Sequence, residues 1–202
     1  VAVLYVKSDW GVGIHDVFIS KFKTLGGRIV ADESYEQTAR DLRTQLTKIK
    51  SSKPELVYFV GYTEASIPGI KQMSDLGLKM TVLGGDAWDD AKIWTDVGKA
   101  GEGMMYVTPA LATADFITRF KVAKPANEVS ICTAQAYDAV NIISQIMKTV
   151  GPAAEEIKAT LYQVKNYPGV SGVITFDQNG DLAQASYIVK IVKDGKVELY
   201  TK

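Results

Sequence analysis

The stretch Leu56-Val57-Tyr58-Phe59-Val60 consists only of aliphatic and aromatic side chains. A strand with one solvated face alternates apolar and polar residues, so an unbroken apolar run indicates a strand covered on both faces. Strands of that kind belong to parallel sheets with helices packed on each side. Similar apolar, β-branched runs begin at Val1, Arg28, Met80 and Met104. Their nearly even spacing predicts a repeating unit of strand and helix.

Segments with helical periodicity lie between these runs, and each carries an apolar stripe that needs a sheet to pack on. The stripes consist of Ile14, Val17, Phe18, Phe22 and Leu25, then Leu42, Leu46 and Ile49, and then Ile70, Met73 and Leu76. Gly26-Gly27, Pro54 and Gly77 follow the stripes as signals that end a helix. Residues 1–108 are therefore predicted to form an α/β unit with a five-stranded, doubly wound parallel sheet.

The second half of the chain has a different pattern. Helical periodicity is followed by strand-like runs, with helices predicted near 115–123, 130–150 and 153–166 and strands near 172–176, 185–192 and 196–200. Asn179-Gly180 and Asp194-Gly195 are typical hairpin turns. We predict a helical connector over 109–170 and a small β-meander over 171–202.

Composition excludes several classes of function. Lys and Arg together number 23, as do Asp and Glu, so no excess positive charge is available to bind nucleic acid or an anionic membrane. Cys132 is the only cysteine and His15 the only histidine, which leaves little material for metal sites or for nucleophilic catalysis. We expect no metal, no cofactor and no enzymatic activity. Cys132 is interpreted as a buried core residue and His15 as a solvated one.

Two local motifs compete with that interpretation. Gly11-Val12-Gly13 follows the first strand and Asp32 ends the second, which is typical of a dinucleotide-binding fingerprint, but Asp16 replaces the third glycine. A nucleotide-dependent enzyme therefore stays a minor alternative. Residues 177–181 begin like a calcium loop without its closing glutamate, so a hairpin turn is the better interpretation.

A binding site is expected where the parallel strands end, because ligands of open α/β sheets bind outside the carboxyl ends of the strands. The loops there supply Trp10, Tyr62 and Trp88 as apolar walls and Asp86 as a fixed negative charge. Such a set favours a small solute with an amino group. For Trp88 an alternative is partial burial against the next helix, and for Asp86 it is a helix cap.

Short motifs along nearly the whole chain together indicate a known family. They are Asp9-Trp10-Gly11, Gly26-Gly27, Asp41-Leu42, Gly61-Tyr62, Leu83-Gly84-Gly85-Asp86, Gly101-Glu102-Gly103, Ala136-Tyr137-Asp138-Ala139-Val140, Gly172-Val173-Ile174-Thr175-Phe176-Asp177 and Asn179-Gly180. In order and spacing the chain resembles the C-terminal portion of the type I periplasmic binding proteins of branched-chain amino-acid ABC transporters.

The resemblance implies that residues 1–108 form the second ligand-binding lobe. It implies that 109–170 pack on a first lobe and that 171–202 return to the hinge and the second lobe. By position, Asp86 resembles the acid that holds the ligand's ammonium group, Tyr62 a residue that contacts the amino-acid backbone, and Trp10 the aromatic that closes over the ligand.

The function implied is the binding of a free amino acid for delivery to the membrane permease of an ABC transporter, in the periplasm or in a membrane-anchored extracellular protein. A ligand-sensing or regulatory domain of the same fold is the alternative. The run that begins at Val1 already has the pattern of a buried strand, and residues 1–202 contain no pattern that we assign to a first lobe. We expect either a fragment of a longer protein or a homodimer through the faces that the first lobe would cover.

Overall fold

Strands and helices alternate along the first half of the chain. The computed structural model describes residues 1–127, 129–130 and 132–201. The strands of this half are β1 (Ala2–Val6), β2 (Ala31–Tyr35), β3 (Leu56–Val60), β4 (Thr81–Gly84) and β5 (Met105–Pro109). The helices are α1 (Asp9–Thr24), α2 (Arg43–Ser51), α3 (Thr63–Asp75) and α4 (Ala91–Val97). Two 3₁₀ turns, Asp86–Trp88 and Gly98–Gly101, precede and follow α4.

Helices and short strands make up the second half. They are α5 (Ala114–Ala123), α6 (Thr133–Val150), α7 (Ala154–Leu161), β6 (Tyr167–Gly169), β7 (Gly172–Ile174), β8 (Tyr187–Lys193) and β9 (Lys196–Leu199). The helix predicted over 153–166 ends at Leu161, and β6 was missed. Asn166 has a φ of 53°, a left-handed conformation that interrupts a helix, and Pro168 follows it.

Within the described residues, the central sheet has seven strands in the order β2-β1-β3-β4-β5-β8-β9. The pairings β1–β2, β1–β3, β3–β4 and β4–β5 are all parallel. The apolar run that forms β3 lies between β1 and β4, where Val57, Phe59 and Val60 are fully buried. The chain adds β2 on one side of β1 and then β3 on the other, which is the reversal of a doubly wound sheet. The predicted fold class is confirmed.

The predicted β-meander over 171–202 is wrong. β7 pairs with β6 in a separate two-stranded sheet, whereas β8 and β9 form an antiparallel hairpin at the β5 side of the central sheet. The turn of that hairpin is the predicted Asp194-Gly195, with φ values of 51° and 72°. Local patterns identify such strands but not the sheet that each one joins.

The chain divides into two compact units. The first contains Val1–Thr108 and the residues from Ile188 on, and the second contains Pro109–Tyr187. The segment 171–202, treated as one piece in the sequence, is thus split between the units after Tyr187. The core of the first unit is built on the strands and includes Leu4, Phe59 and Trp88. The second unit has its own cluster around Ile142, Ile146 and Ile174.

Candidate functional site

Three neighbouring strands of the first unit end at one edge of the sheet. The register aligns Tyr5 with Val60, and Phe59 with Gly84, so the carboxyl ends of β1, β3 and β4 meet there. The residues that follow are Trp10 in the first turn of α1, Tyr62 at the N-cap of α3, and Asp86 at the start of a 3₁₀ turn. The edge predicted from the sequence thus carries all three side chains.

Trp10 and Tyr62 form an aromatic pair at this edge. Their rings stack with centroids 4.8 Å apart and planes at 26°. Both residues are half-buried and pack against the hydrophobic core. The Ser8 hydroxyl lies 3.3 Å from the Tyr62 hydroxyl and also accepts a hydrogen bond from the Gly11 amide as the cap of α1. Contacts within the chain therefore hold the two rings in place as an apolar wall.

Gly85 brings the backbone of the third loop beside that wall. A Cβ added at Gly85 would lie 3.9 Å from Cζ2 of Trp10, which is ordinary van der Waals contact. Asp86 is the next residue in the chain. The carboxylate of Asp86 thus stands on a turn that passes directly alongside the indole of Trp10.

Asp86 carries a negative charge without a cationic partner. Its side chain accepts a hydrogen bond from the amide of Ala87, at 3.1 Å. Among the described residues, no Lys, Arg or His lies within ion-pair distance of it. The charge of Asp86 also affects Tyr58. The pKa of the Tyr58 phenol is raised to about 12, mainly by burial and secondly by the negative charge of Asp86. A half-buried, unneutralised carboxylate is suited to bind an ammonium group.

Trp88, predicted as an apolar wall of the site, does not line it. Its side chain is fully buried, and its indole N–H donates to the Ser66 hydroxyl at 2.8 Å. The ring meets Phe59 and Trp94 edge to face, with centroids 5.4 and 5.6 Å away. The 3₁₀ turn directs Trp88 into the core, so the alternative of burial holds and the indole offers no surface to a solute. Trp88 instead supports the turn that carries Asp86.

Comparison with known proteins decides the family. The profile of the periplasmic binding protein family matches residues 1–196. The chain belongs to this family. It is a family of solute-binding proteins, and the resemblance predicted from the short motifs is confirmed.

Individual relatives of this periplasmic binding protein agree. The Leu/Ile/Val-binding protein BraC3 of Rhizobium johnstonii is 27% identical over 98% of this chain and 55% of its own length. Leucine-binding protein LivK of Thermotoga maritima superposes with a TM-score of 0.88 at 28% identity, over 99% of this chain and 59% of LivK. LivJ of Streptococcus pneumoniae, in complex with isoleucine, gives 0.82 at 26% identity, over 98% and 58%. The chain spans about half the length of the curated relatives it matches.

The dinucleotide alternative finds no support in the geometry. Asp32, the candidate ribose ligand, instead contacts the imidazole of His15, with Nε2 3.0 Å from its Oδ1. Asp9 adds a negative charge to the first turn of α1, where a pyrophosphate would have to bind. A Cβ at Gly11 would lie 2.2 Å from the carbonyl oxygen of Val6, so this glycine serves close packing of α1 on β1.

His15 and Cys132 differ from expectation. The His15 side chain is only 13% exposed, stacks on Tyr5 at 4.1 Å, and places Nδ1 2.7 Å from Asp16. Cys132, predicted to be buried, is exposed. The contacts of His15 with Tyr5 and Asp32 lie outside its own helical turn, and local periodicity does not report them.

The loop predicted as a hairpin turn is one. The Asp177 carboxylate accepts hydrogen bonds from the amides of Asn179 and Asp181, and an isolated bridge joins Phe176 to Leu182. No group of three or more His, Cys, Asp or Glu within 1–127, 129–130 and 132–201 is arranged to hold a metal ion. Within the same ranges, no helix combines the length and apolar character needed to cross a membrane.

Asp89 is a residue whose importance sequence reasoning missed. Its carboxylate accepts hydrogen bonds from Tyr106 at 2.8 Å, from Lys190 at 2.7 Å and from Thr108 at 3.3 Å. Lys190 lies 101 residues further along the chain, so only the assembled sheet brings it to Asp89.

Proposed function

We propose that this chain binds the amino group of a free amino acid at Asp86, within the substrate-binding component of an ABC transporter. The observation that carries the proposal is the position of Asp86. It is a half-buried carboxylate without a cationic partner among the described residues, at the carboxyl edge of a parallel sheet. The stacked rings of Trp10 and Tyr62 stand beside it.

The chemistry of the site fits an α-amino acid better than a neutral solute. Desolvating a carboxylate is costly, and an incoming ammonium group offsets that cost by a charge-assisted hydrogen bond. The indole face of Trp10 attracts a cation and also offers apolar contact. The names of the relatives, which include Leu/Ile/Val-binding proteins and the complex of LivJ with isoleucine, support an aliphatic amino acid as the ligand.

The proposed role is binding and delivery without a chemical step. The solute would be passed to the membrane permease of an ABC transporter, and the protein would work in the periplasm or outside the cell. Membership of the periplasmic binding protein family supports both statements. A sensing or regulatory role for the same fold stays a prediction.

Calorimetric titration of leucine, isoleucine and valine into the full-length protein tests the proposal. Asp86→Asn keeps the shape of the side chain and removes its charge, so the ligand ammonium is left unpaired. We expect a loss of about 2–5 kcal/mol of binding free energy, as for other buried charge pairs that lose one partner. Asp75→Asn, the same change at an exposed position that ends α3, serves as the matched control. Equal affinity of Asp86→Asn and wild type contradicts the proposed site.

A further inference from the structure

The carboxylate of Asp89 joins three donors from two strands. Tyr106 and Thr108 lie on β5, and Lys190 lies on β8. Thr108 is the last residue of the first unit before the chain enters the second, and Lys190 follows Ile188, at which the chain re-enters the first. Asp89 thus holds both strands by which the chain leaves and returns. All four residues of this cluster, named here the Asp89 anchor, belong to the first unit.

The Asp89 anchor is continuous with the turn that carries Asp86. The backbone amide of Asp89 donates to the carbonyl oxygen of Asp86 at 3.0 Å and closes the 3₁₀ turn. The indole N–H of Trp94 donates to the carbonyl oxygen of Trp88, also at 3.0 Å, and its ring stacks on Tyr106 with centroids 5.4 Å apart. The backbone from Asp86 to Asp89 is therefore fixed to β5 at two points.

The ion pair of the Asp89 anchor is largely buried, so its loss should be costly. The side chains of Lys190 and Asp89 are 16% and 19% exposed, and their atoms approach to 2.7 Å. Burial, with the hydrogen bond to Asp89 as second cause, raises the pKa of the Tyr106 phenol, so this hydroxyl stays protonated and donates. The ammonium of Lys190 also lies 5.8 Å from the centre of the Tyr106 ring. Removing Lys190 or Asp89 leaves the partly desolvated charge of the other unpaired, so the neighbouring groups must shift.

We propose that Asp89 and Lys190 are positioning residues for the ligand site, which fix the Asp86 turn to the two strands that connect the units. The inference rests on the function proposed above. Asp89 does not touch the solute; it acts through the backbone of the Asp86 turn. A displacement of β5 or β8 at the connection is thereby transmitted to the carboxylate that binds the ammonium group.

The affinity test uses Lys190→Met, Lys190→Arg and the control Lys92→Met in the full-length protein. Lys92 pairs with Asp96 on the surface of α4, so its substitution removes an ion pair of the same unit without touching the anchor. We expect Lys190→Met to weaken leucine binding by roughly tenfold, Lys190→Arg to restore most of it, and Lys92→Met to change little. In the Asp86→Asn background Lys190→Met should have no further effect, because both act on the same contact.

A second measurement, hydrogen exchange, tests the same proposal without a ligand. Hydrogen exchange of the Asp89 amide reports the bond to Asp86 directly, and we expect roughly tenfold faster exchange in Lys190→Met but not in Lys92→Met. Should Lys190→Met fail to fold, Tyr106→Phe removes a single donor and should shift exchange in the same direction.

The outcomes separate the two proposals. A wild-type protein that binds no amino acid overturns the proposed function, while the exchange rates still decide whether the anchor holds the Asp86 turn. Binding that is lost in Asp86→Asn but unchanged in Lys190→Met overturns the positioning role alone. Additive losses in the double variant would also contradict it, since Lys190 would then act independently of Asp86.

Discussion

Tyr58 reports the electrostatics of the site at the scale of single residues. Its phenol, with a pKa of 10.0 in the unfolded chain, has a pKa raised to about 12 by burial and by the charge of Asp86. The unfolded state therefore ionises first, so the stabilisation from the neutral phenol is complete below pH 10 and lost as pH rises through 12. We expect Tyr58→Phe, which cannot ionise, to lose less unfolding free energy over that range than wild type, as measured by urea titration.

Asp86→Asn provides the second arm of this test. Removing the charge takes away the smaller cause of the shift and leaves the burial, so the pKa of Tyr58 should fall while staying above its usual value. Absorbance titration of the phenolate, with Tyr58→Phe to assign the step, measures the midpoint. Asp75→Asn should not move it. An unchanged midpoint in Asp86→Asn would show that the carboxylate does not approach Tyr58.

The edge of the sheet at which a residue lies could be predicted from the sequence, whereas the direction in which its side chain points could not. Trp10, Tyr62 and Asp86 each come shortly after the end of a strand, and the ends of parallel strands share one edge. Trp88 comes only two residues after Asp86, but a 3₁₀ turn reverses its direction and buries it. Asp89 depends on Lys190, and no local pattern connects residues that far apart.

Close packing of a strand end on a turn gives a prediction at the scale of elements. A Cβ at Gly84, the last residue of β4, would lie 2.1 Å from Cδ2 of the buried Trp88. Since Trp88 is enclosed by the core, we expect Gly84→Ala to lower the free energy of unfolding by about 1–3 kcal/mol in urea titration. The neighbouring Gly85→Ala is the matched control, because its Cβ would make only the ordinary contact with Trp10.

The two glycine variants must therefore differ. Gly85 has a φ of −87°, which alanine adopts without strain, and its substitution should change stability by less than about 0.5 kcal/mol. If Gly84→Ala proved as stable as Gly85→Ala, the indole of Trp88 would be free to move, and the rigid support inferred for the Asp86 turn would be wrong.

Element types followed from periodicity more reliably than element partners. The continuous apolar runs mark β1, β3, β4 and β5, because strands buried on both faces keep few polar side chains. β6 was hidden, since a three-residue strand containing Pro168 has too short a pattern to recognise. The pairing of β8 and β9 with the central sheet is a long-range event, which the turn at Asp194-Gly195 does not specify.

The organisation of the whole molecule could be predicted mainly from its resemblance to the family. Apolar runs predicted the parallel sheet. The family, which accounts for the order of the segments along the chain, was indicated only by many weak motifs taken together. Periodicity alone predicts one β-meander over 171–202. It does not report that β8 and β9 return to the sheet formed by the first half of the chain. The predicted pairing of two copies of the chain stays a prediction.

Each of the two units has its own hydrophobic core, so we predict that the units differ in stability. The first unit's cluster extends from Ala2 to Val192 and is the larger of the two among the described residues, while the second centres on Ile142, Ile146 and Ile174. Ile146→Ala should destabilise by about 2–5 kcal/mol through the cavity it leaves, and this loss should appear in peptides of 109–187. Hydrogen exchange with rising urea, resolved by mass spectrometry, measures each unit separately.

Ile70→Ala is the matched substitution in the first unit, where Ile70 is fully buried. Its loss of protection should fall on 1–108 and on β8 and β9, because these strands complete the same sheet. Leucine at about 100 times its dissociation constant should stabilise the first unit by about 2.7 kcal/mol if it binds there. Equal loss of protection along the whole chain in both variants would instead mean that the units unfold as one, since local cores would then not limit the cooperative unit.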